Sequence, residues 1–449
     1  MNIIQGIIKR FGCAVPQFEM CYYDRVHCFV HDFIVSHFKP IPLDTDVSVS
    51  TWLASCKYPL WRKNELLNCD WDGTFVNKSH VKREFYPEYK YCRLINSRID
   101  GFKRFCGPYF KIMESIVYSL PWFIKHIPVC DRPSYIMEHI QRDGCVYICS
   151  DHTAFESHFV PMVMELFEMQ LYKFLLINFP GVYDVIHRAL CGVNKCYFSD
   201  GVSCELNGVR MSGDMCTSLG NGFTNLMVMM FMLHDKDLQF NGVVEGDDGL
   251  FGVYAPYELL PTCDDFKNIG MDLKLELRDS VSTSDFCGLV FDPVLQHNLC
   301  DPAEALCRFG WSFSELRFMN DTRPLVRAKA ISLAYECPNC PILNSLARYG
   351  LRVTSGVLPR FERLGSEVWW REQLNIVSCD DDVLYDKLCV DISDADREIV
   401  QTKFGVDFGH QILIERYLDS LSCLCEFSCP HIHDIMRQEW KHFYDHFCN

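Results

Sequence analysis

Residues 243–253 read Val-Val-Glu-Gly-Asp-Asp-Gly-Leu-Phe-Gly-Val and set two adjacent carboxylates, Asp247 and Asp248, between apolar runs. Val243 and Val244 on one side, and Leu250, Phe251 and Val253 on the other, suit two short strands. Gly246 and Gly249 bracket the expected turn, where positive φ is cheap only without a Cβ. Carboxylates this close resist joint ionisation, and a divalent cation removes the conflict. The pattern therefore predicts a metal site at a hairpin tip. Asp-Asp-Gly by itself is ordinary turn chemistry, so the weight comes from what lies upstream. In residues 145–159 the apolar Val146, Tyr147 and Ile148 lead to Asp151, with Glu156 on the turn beyond. In residues 211–225 a small polar loop holding Ser212, Gly213, Thr217 and Asn221 runs into the apolar stretch Leu226–Leu233. Carboxylates gathered from separate strands suit hard cations such as Mg²⁺ or Mn²⁺. A pair of such ions can activate a hydroxyl and stabilise an in-line displacement at phosphorus.

The elements that must position these groups follow from periodicity. Val146–Ile148, Val202–Leu206 and Lys274-Leu-Glu-Leu277 read as strands, and residues 108–126 and 159–178 carry apolar positions at helical spacing. Pro324–Glu336 is a helix bounded by Pro324 and stopped before Pro338. Strands and helices interleave around the three carboxylate elements, and helices dominate beyond residue 300.

Taken in order, the three elements resemble motifs A, B and C in the palm of viral RNA-dependent RNA polymerases. The middle one fits the pattern Ser-Gly, three residues, Thr, three residues, Asn. Residues 81–98, with Lys82, Arg83, Arg93 and Arg98, look like the basic motif F. Residues 266–276, with Gly270 and Lys274, look like motif D, and Asp285-Phe-Cys-Gly288 looks like motif E. The wording, including Trp52-Leu53 and Tyr58-Pro-Leu-Trp-Arg-Lys63, is closest to polymerases of tombus-like and noda-like positive-strand RNA viruses. The resemblance runs from residue 50 to residue 355.

The resemblance implies roles. Asp151 and Asp247 would bridge the metal ions, and Asp248 would be an auxiliary ligand or a primer-end contact. Glu156, Ser212, Gly213, Thr217 and Asn221 would read the ribose, whose 2′-hydroxyl can donate to a carboxylate and accept from an amide or hydroxyl. Family members usually carry Asp at the Glu156 position, so this chain departs by one methylene. Reverse transcriptases typically place an aromatic there, so Glu156 argues for ribonucleotides. Lys82, Arg83, Arg93 and Arg98 would hold the incoming triphosphate through charge-assisted bonds. Lys274 would protonate the leaving pyrophosphate, with Lys267 as a rival in the same segment.

The fold class implied is α+β: a right-hand polymerase with an antiparallel-sheet palm and a helical thumb. The expected segments are fingers over 1–144, palm over 145–165, a fingers insertion over 166–206, palm over 207–293 and thumb over 294–449. Partners would be template and product RNA, nucleoside triphosphates and other viral replication proteins. The expected location is the host cytoplasm, in membrane-associated replication complexes. Two rivals are a reverse transcriptase and a non-catalytic RNA-binding palm, although the latter should lack a metal carboxylate.

Composition agrees with a large enzyme. The chain has 449 residues, 49% of them hydrophobic, enough for a sizeable core. Its net charge of −16 does not describe a simple nucleic-acid binder. Between Lys78 and Lys111, however, nine basic residues face only Glu84, Glu88 and Asp100 along the chain, and a polymerase needs its positive field only in a channel. No apolar run is long enough for a transmembrane segment, and the N-terminus lacks the basic start of a secretory signal. The 26 cysteines are then expected to be reduced, most of them as small buried hydrophobes. Cys423, Cys425, Cys429, His431 and His433, together with Cys337-Pro-Asn-Cys340, offer ligands for a structural Zn²⁺ or for a zinc-dependent interaction protein. Their spacing matches no standard finger, so zinc is not the expected outcome.

Overall fold

Beside a two-stranded pair at Val290–Phe291 and Asn298–Leu299, the longer strands, in chain order, are β1 (Val76–Val81), β2 (Leu94–Arg98), β3 (Val146–His152), β4 (Val193–Phe198), β5 (Ser203–Asn207), β6 (Gln239–Glu245), β7 (Asp248–Tyr254) and β8 (Leu273–Arg278). They form two four-stranded sheets, ordered β2-β1-β4-β5 and β6-β7-β3-β8. β3 runs antiparallel to β7, which runs antiparallel to β6. Only β1 and β4 pair in parallel in the first sheet. The computed structural model describes residues 2–84, 86, 88–140, 142, 144–152, 154–311, 321–360 and 379–447.

Contacts divide the chain into two compact units. The first comprises residues up to 82, 91–126 and 142–277, and the second comprises 83–90, 127–141 and the chain from 278 onward. This division is coarser than the five expected segments, and its boundary after Leu277 falls inside the segment expected to run from 207 to 293. Both sheets belong to the first unit. Among its helices are α1 (Asn2–Phe11), α2 (Tyr23–His37), α3 (Asp100–Val117), α4 (Pro161–Leu166), α5 (Glu168–Leu175), α6 (Pro180–Cys191) and α7 (Thr217–Asp235).

The helical stretch expected over 159–178 is two helices. Phe167 leaves the helical region at φ −112° and ψ −90°, ending α4 before α5 begins. The stretch expected over 108–126 starts earlier, at Asp100, and holds Pro108 in its interior. α7 is apolar almost all round: from Leu219 to Leu233 every residue but Asn221 is buried. A helix of that kind belongs in a core, and Val228, Phe231, Val244 and Phe251 share one cluster with residues of α2, α3 and α5.

In the second unit, α8 (Arg323–Glu336) and α9 (Leu343–Val353) are the central pair. Further along lie α10 (Asp394–Phe404), α11 (Phe408–Ser420), α12 (Pro430–Ile435) and α13 (Gln438–Phe447). Leu346, Ile414, Leu418, Ile432 and Trp440 belong to this unit's own apolar cluster. The fold is thus a mixed α+β one whose strands pair mostly antiparallel. Every described cysteine is a free thiol, but fewer than half are buried, so the expectation that most would be core hydrophobes is corrected. Among the described residues no helix is long and apolar enough to cross a membrane.

Candidate active site

The hairpin tip is a two-residue loop. Glu245 pairs with Asp248, leaving Gly246 and Asp247 between the strands. Gly246 has φ +63°, the left-handed value expected of the first loop residue in a type II′ turn. Gly249 does a different job from the one its sequence context suggests. It is a strand residue opposite Ser150, and a Cβ there would stand 2.6 Å from Ser150 Oγ. That glycine permits close strand approach and does not shape the turn.

The same register brings the first aspartate alongside. Ser150 pairs with Gly249, so Asp151 follows at the end of β3 beside the turn that carries Asp247 and Asp248. Along β3, Val146 to Ser150 and His152 are buried, and Asp151 alone faces out. Partial burial raises its carboxyl above the ordinary carboxylate range, and the Asp247 and Glu276 charges raise it further, while Lys274 and Arg93 oppose the rise. Two acids and two cations therefore act on one point. Lys274 lies on β8, the neighbour of β3. Its rival Lys267 is engaged elsewhere, 2.8 Å from Asp264.

One residue that the sequence reading passed over fixes this geometry. Asn225, fully buried on α7, donates from Nδ2 to the carbonyls of Gly246, Asp247 and Asp248 at 3.3, 3.1 and 3.1 Å. Its Oδ1 accepts from His152 Nε2 at 3.2 Å. One amide thus ties both carboxylate-bearing segments to the same helix. Burial pushes the His152 pKa down to about 3, so the ring is neutral and can serve as a plain donor. The available signal was spacing: Asn225 lies one helical turn after Asn221, on the same face.

The Ser-Gly loop is braced internally. Thr217 Oγ1 donates to the carbonyls of Met211 and Asp214 and accepts from Gly213 N. Ser212 O accepts from Asn96 N at 2.6 Å, joining the loop to β2. Gly213 sits at φ +116°. Thr217 is therefore committed to holding the loop. Asn221 Oδ1, by contrast, is shielded and has no hydrogen-bond partner among the described residues. Glu156 lies on the 3-10 turn Phe155–His158 and pairs with Arg10 of α1.

The basic residues divide. Arg93 is exposed just before β2, and Lys82 N donates to its carbonyl at 2.8 Å, so the two emerge side by side from a strand pair. Arg98 is buried, donates to both oxygens of Asp214 and reaches Ala189 O. Its expected grip on a triphosphate is corrected: its guanidinium is already spent on a buried pair inside the first unit. Arg83, the residue after Lys82, is exposed and falls in the second unit. The basic stretch is also less basic in space than along the chain. Asp214 pairs with Arg98, Asp70 stands 3.8 Å from Arg104, and Glu114 stands 4.0 Å from Lys111.

The Cys and His residues singled out as possible zinc ligands do not share one cluster. Cys337 Sγ lies 3.7 Å from Cys300 Sγ, and Cys340 Sγ contacts Cys300 O, so this CxxC belongs with Cys300. Of the five Cys and His residues near the C-terminus, His431 alone falls in a metal-capable group among the described residues.

Residues 104–253 match the family model described as viral RNA dependent RNA polymerase. The enzyme is an RNA-directed RNA polymerase. The matched span runs from α3 through β7 and contains Asp151, the Ser-Gly loop, Asn225 and the Asp247-Asp248 turn of this nucleotidyltransferase. Arg93 and Lys274 flank it on either side. No curated protein matches the polymerase chain.

Proposed function

We propose that this polymerase replicates a positive-strand RNA genome by two-metal nucleotidyl transfer centred on Asp151 and Asp247. The observation that carries the reading is the strand register, which brings the end of β3 beside the Gly246-Asp247 turn. The donor set fits hard divalent ions such as Mg²⁺ or Mn²⁺, because it offers carboxylate oxygens from two separate segments. When bound, such ions would stabilise charge on the attacking and departing oxygens.

The chain's own groups take the remaining tasks. Arg93 and Lys82 balance triphosphate charge, Arg93 by paired donors and Lys82 as a point charge. Lys274, next to Asp151's strand, gives a proton to the leaving pyrophosphate. Asn221 Oδ1 and Glu156 accept from the ribose hydroxyls, Ser212 is a further ribose contact, and Thr217 keeps the loop that presents them in shape. Asp248 is an auxiliary ligand or a primer-end contact.

In this reading the second sheet and α7 form the palm, the first sheet belongs to the fingers, and the helices of the second unit form the thumb. Tyr58-Pro-Leu-Trp-Arg-Lys63 and Trp52-Leu53 favour a tombus-like or noda-like origin. The enzyme would work in the host cytoplasm with other viral proteins on membranes.

Primer extension on a defined RNA template with Mg²⁺ tests the proposal. Incorporation of ribonucleotides that is lost in Asp247→Asn supports it. Preferential use of deoxyribonucleotides would favour a reverse transcriptase, and RNA binding without extension would favour a scaffold.

A further inference from the structure

Away from the carboxylate site, the second unit gathers three metal-capable side chains from two neighbouring helices. α11 carries His410 near its start, and α12 carries His431 and Asp434, three residues apart. One ligand atom from each lies within 4.8 Å of the other two. His410 Nε2 and Asp434 Oδ2 are 3.8 Å apart, and the His410 and His431 rings have centroids 5.8 Å apart.

Two further observations point toward an ion. His410 Nδ1 is hydrogen-bonded to Asp407 Oδ2. An aspartate there places the proton on Nδ1 and leaves the lone pair on Nε2, the nitrogen nearest Asp434. That carboxylate–imidazole pairing is how metal-binding histidines are commonly oriented. Asp407 is itself held, because it caps α11 by accepting from His410 N at 3.1 Å. His431 Nδ1, meanwhile, is shielded from solvent and has no hydrogen-bond partner among the described residues. A plain His410–Asp434 ion pair would explain neither the long separation nor that unsatisfied nitrogen.

We propose that His410, His431 and Asp434 bind one zinc-class divalent ion that clips α12 to α11. Two imidazoles and a carboxylate suit Zn²⁺ and disfavour Mg²⁺, which prefers all-oxygen shells. Bonds of about 2.0–2.1 Å in a tetrahedral array put ligand atoms about 3.3–3.4 Å apart. Closing from the observed spacing needs no more than about 1.5 Å of side-chain movement, and water can fill the fourth position. The other metal-capable group, Glu165, His187 and Cys191, is already accounted for. Glu165 Oε1 accepts from His187 Nε2 at 3.2 Å, and burial keeps Cys191 a thiol, its pKa pushed up to about 12.

The test uses the full chain, stripped with chelator and titrated with ZnCl₂ while excess MgCl₂ occupies hard-oxygen sites. Calorimetry gives stoichiometry and affinity, and thermal unfolding is followed with and without zinc. The expected result is one equivalent of zinc and a higher Tm. Affinity should fall at least tenfold in His410→Ala, His431→Gln and Asp434→Asn, with the Tm rise abolished. Asp407→Asn, which keeps a capping side chain, should weaken binding roughly ten- to a hundredfold. Asp247→Asn should leave zinc binding unchanged, separating this site from the catalytic one. The Asp434 side chain is 55% exposed, so its variant should fold even where a histidine variant does not. Absence of zinc binding in the wild type would overturn the proposal, as would unchanged affinity in folded Asp434→Asn. So would loss of zinc only in Cys423→Ser or Cys425→Ser.

Discussion

Arg10, near the end of α1, reaches Glu156 with Nη1 and Oε1 3.5 Å apart, both side chains mostly shielded. A helix far upstream thus holds the carboxylate that departs from the usual family residue. Where the Glu156 carboxylate points therefore depends on both partners, and so would any contact it makes with a ribose. Glu156→Gln should narrow the preference for rNTPs over dNTPs by about 1–1.5 kcal/mol, the difference between a hydrogen bond to a charged group and one to the neutral amide oxygen that replaces it. Arg10→Ala should narrow it in the same direction and add little when combined with Glu156→Gln, since the two act as one unit. The measurement is kcat/KM for paired nucleotides. Equal losses for rNTPs and dNTPs would mean that the pair supports backbone only.

Asp247→Asn should lower kcat by about a thousandfold or more, because several kcal/mol of charge stabilisation at the reacting phosphorus would be lost. Folding should be almost unaffected, since the residue sits at a hairpin tip and contributes no core area. Single-turnover incorporation, read beside circular dichroism and RNA binding, checks both halves. Activity within tenfold of wild type would show that the turn is only a turn.

Arg93 and Arg98 should separate cleanly despite lying five residues apart. Arg93→Ala should raise KM for all four nucleoside triphosphates alike and leave Tm unchanged, because the side chain is exposed. Arg98→Ala should cost about 3–5 kcal/mol of stability by leaving Asp214 buried and unpaired. Urea denaturation and steady-state kinetics distinguish them. A stable Arg98→Ala with raised KM would return that residue to the nucleotide site.

Asn225→Ala should reduce kcat much more than it raises KM, because it loosens the turn that carries Asp247 and leaves the substrate contacts in place. Its stability cost should be about 1–3 kcal/mol, since the His152 donor and the turn carbonyls lose their partner. A proportional change in kcat and KM, or none at all, would remove Asn225 from the positioning role.

Much of this was legible in the sequence because it rests on short-range chemistry. Short apolar runs set the hairpin, and the paired aspartates between glycines marked its tip. What was not legible depends on residues distant along the chain. Arg98 looks like part of a basic run until Asp214, far downstream, pairs with it. Asn225 reads as one more polar residue at the start of an apolar helix until the carbonyls it bonds are folded against it. Gly249 was expected to serve the turn, since only the strand register reveals that it faces Ser150. The Cys337-Pro-Asn-Cys340 motif suggested the wrong companions because its nearest thiol, Cys300, lies well before it.

The pairing of β3 with β7 also governs when the enzyme comes into being. Ser150 and Gly249 must meet before Asp151 and Asp247 are neighbours, and β4, β5 and α7 all lie between them in the chain. During synthesis the first carboxylate leaves the ribosome long before its partner does, and over that interval the chain cannot bring the two carboxylates together. Long-range strand pairing of this kind also closes slowly. Nucleotide-polymerising capacity should therefore arrive late and in one step, and a nascent chain that stops short of residue 254 should be inert toward RNA synthesis.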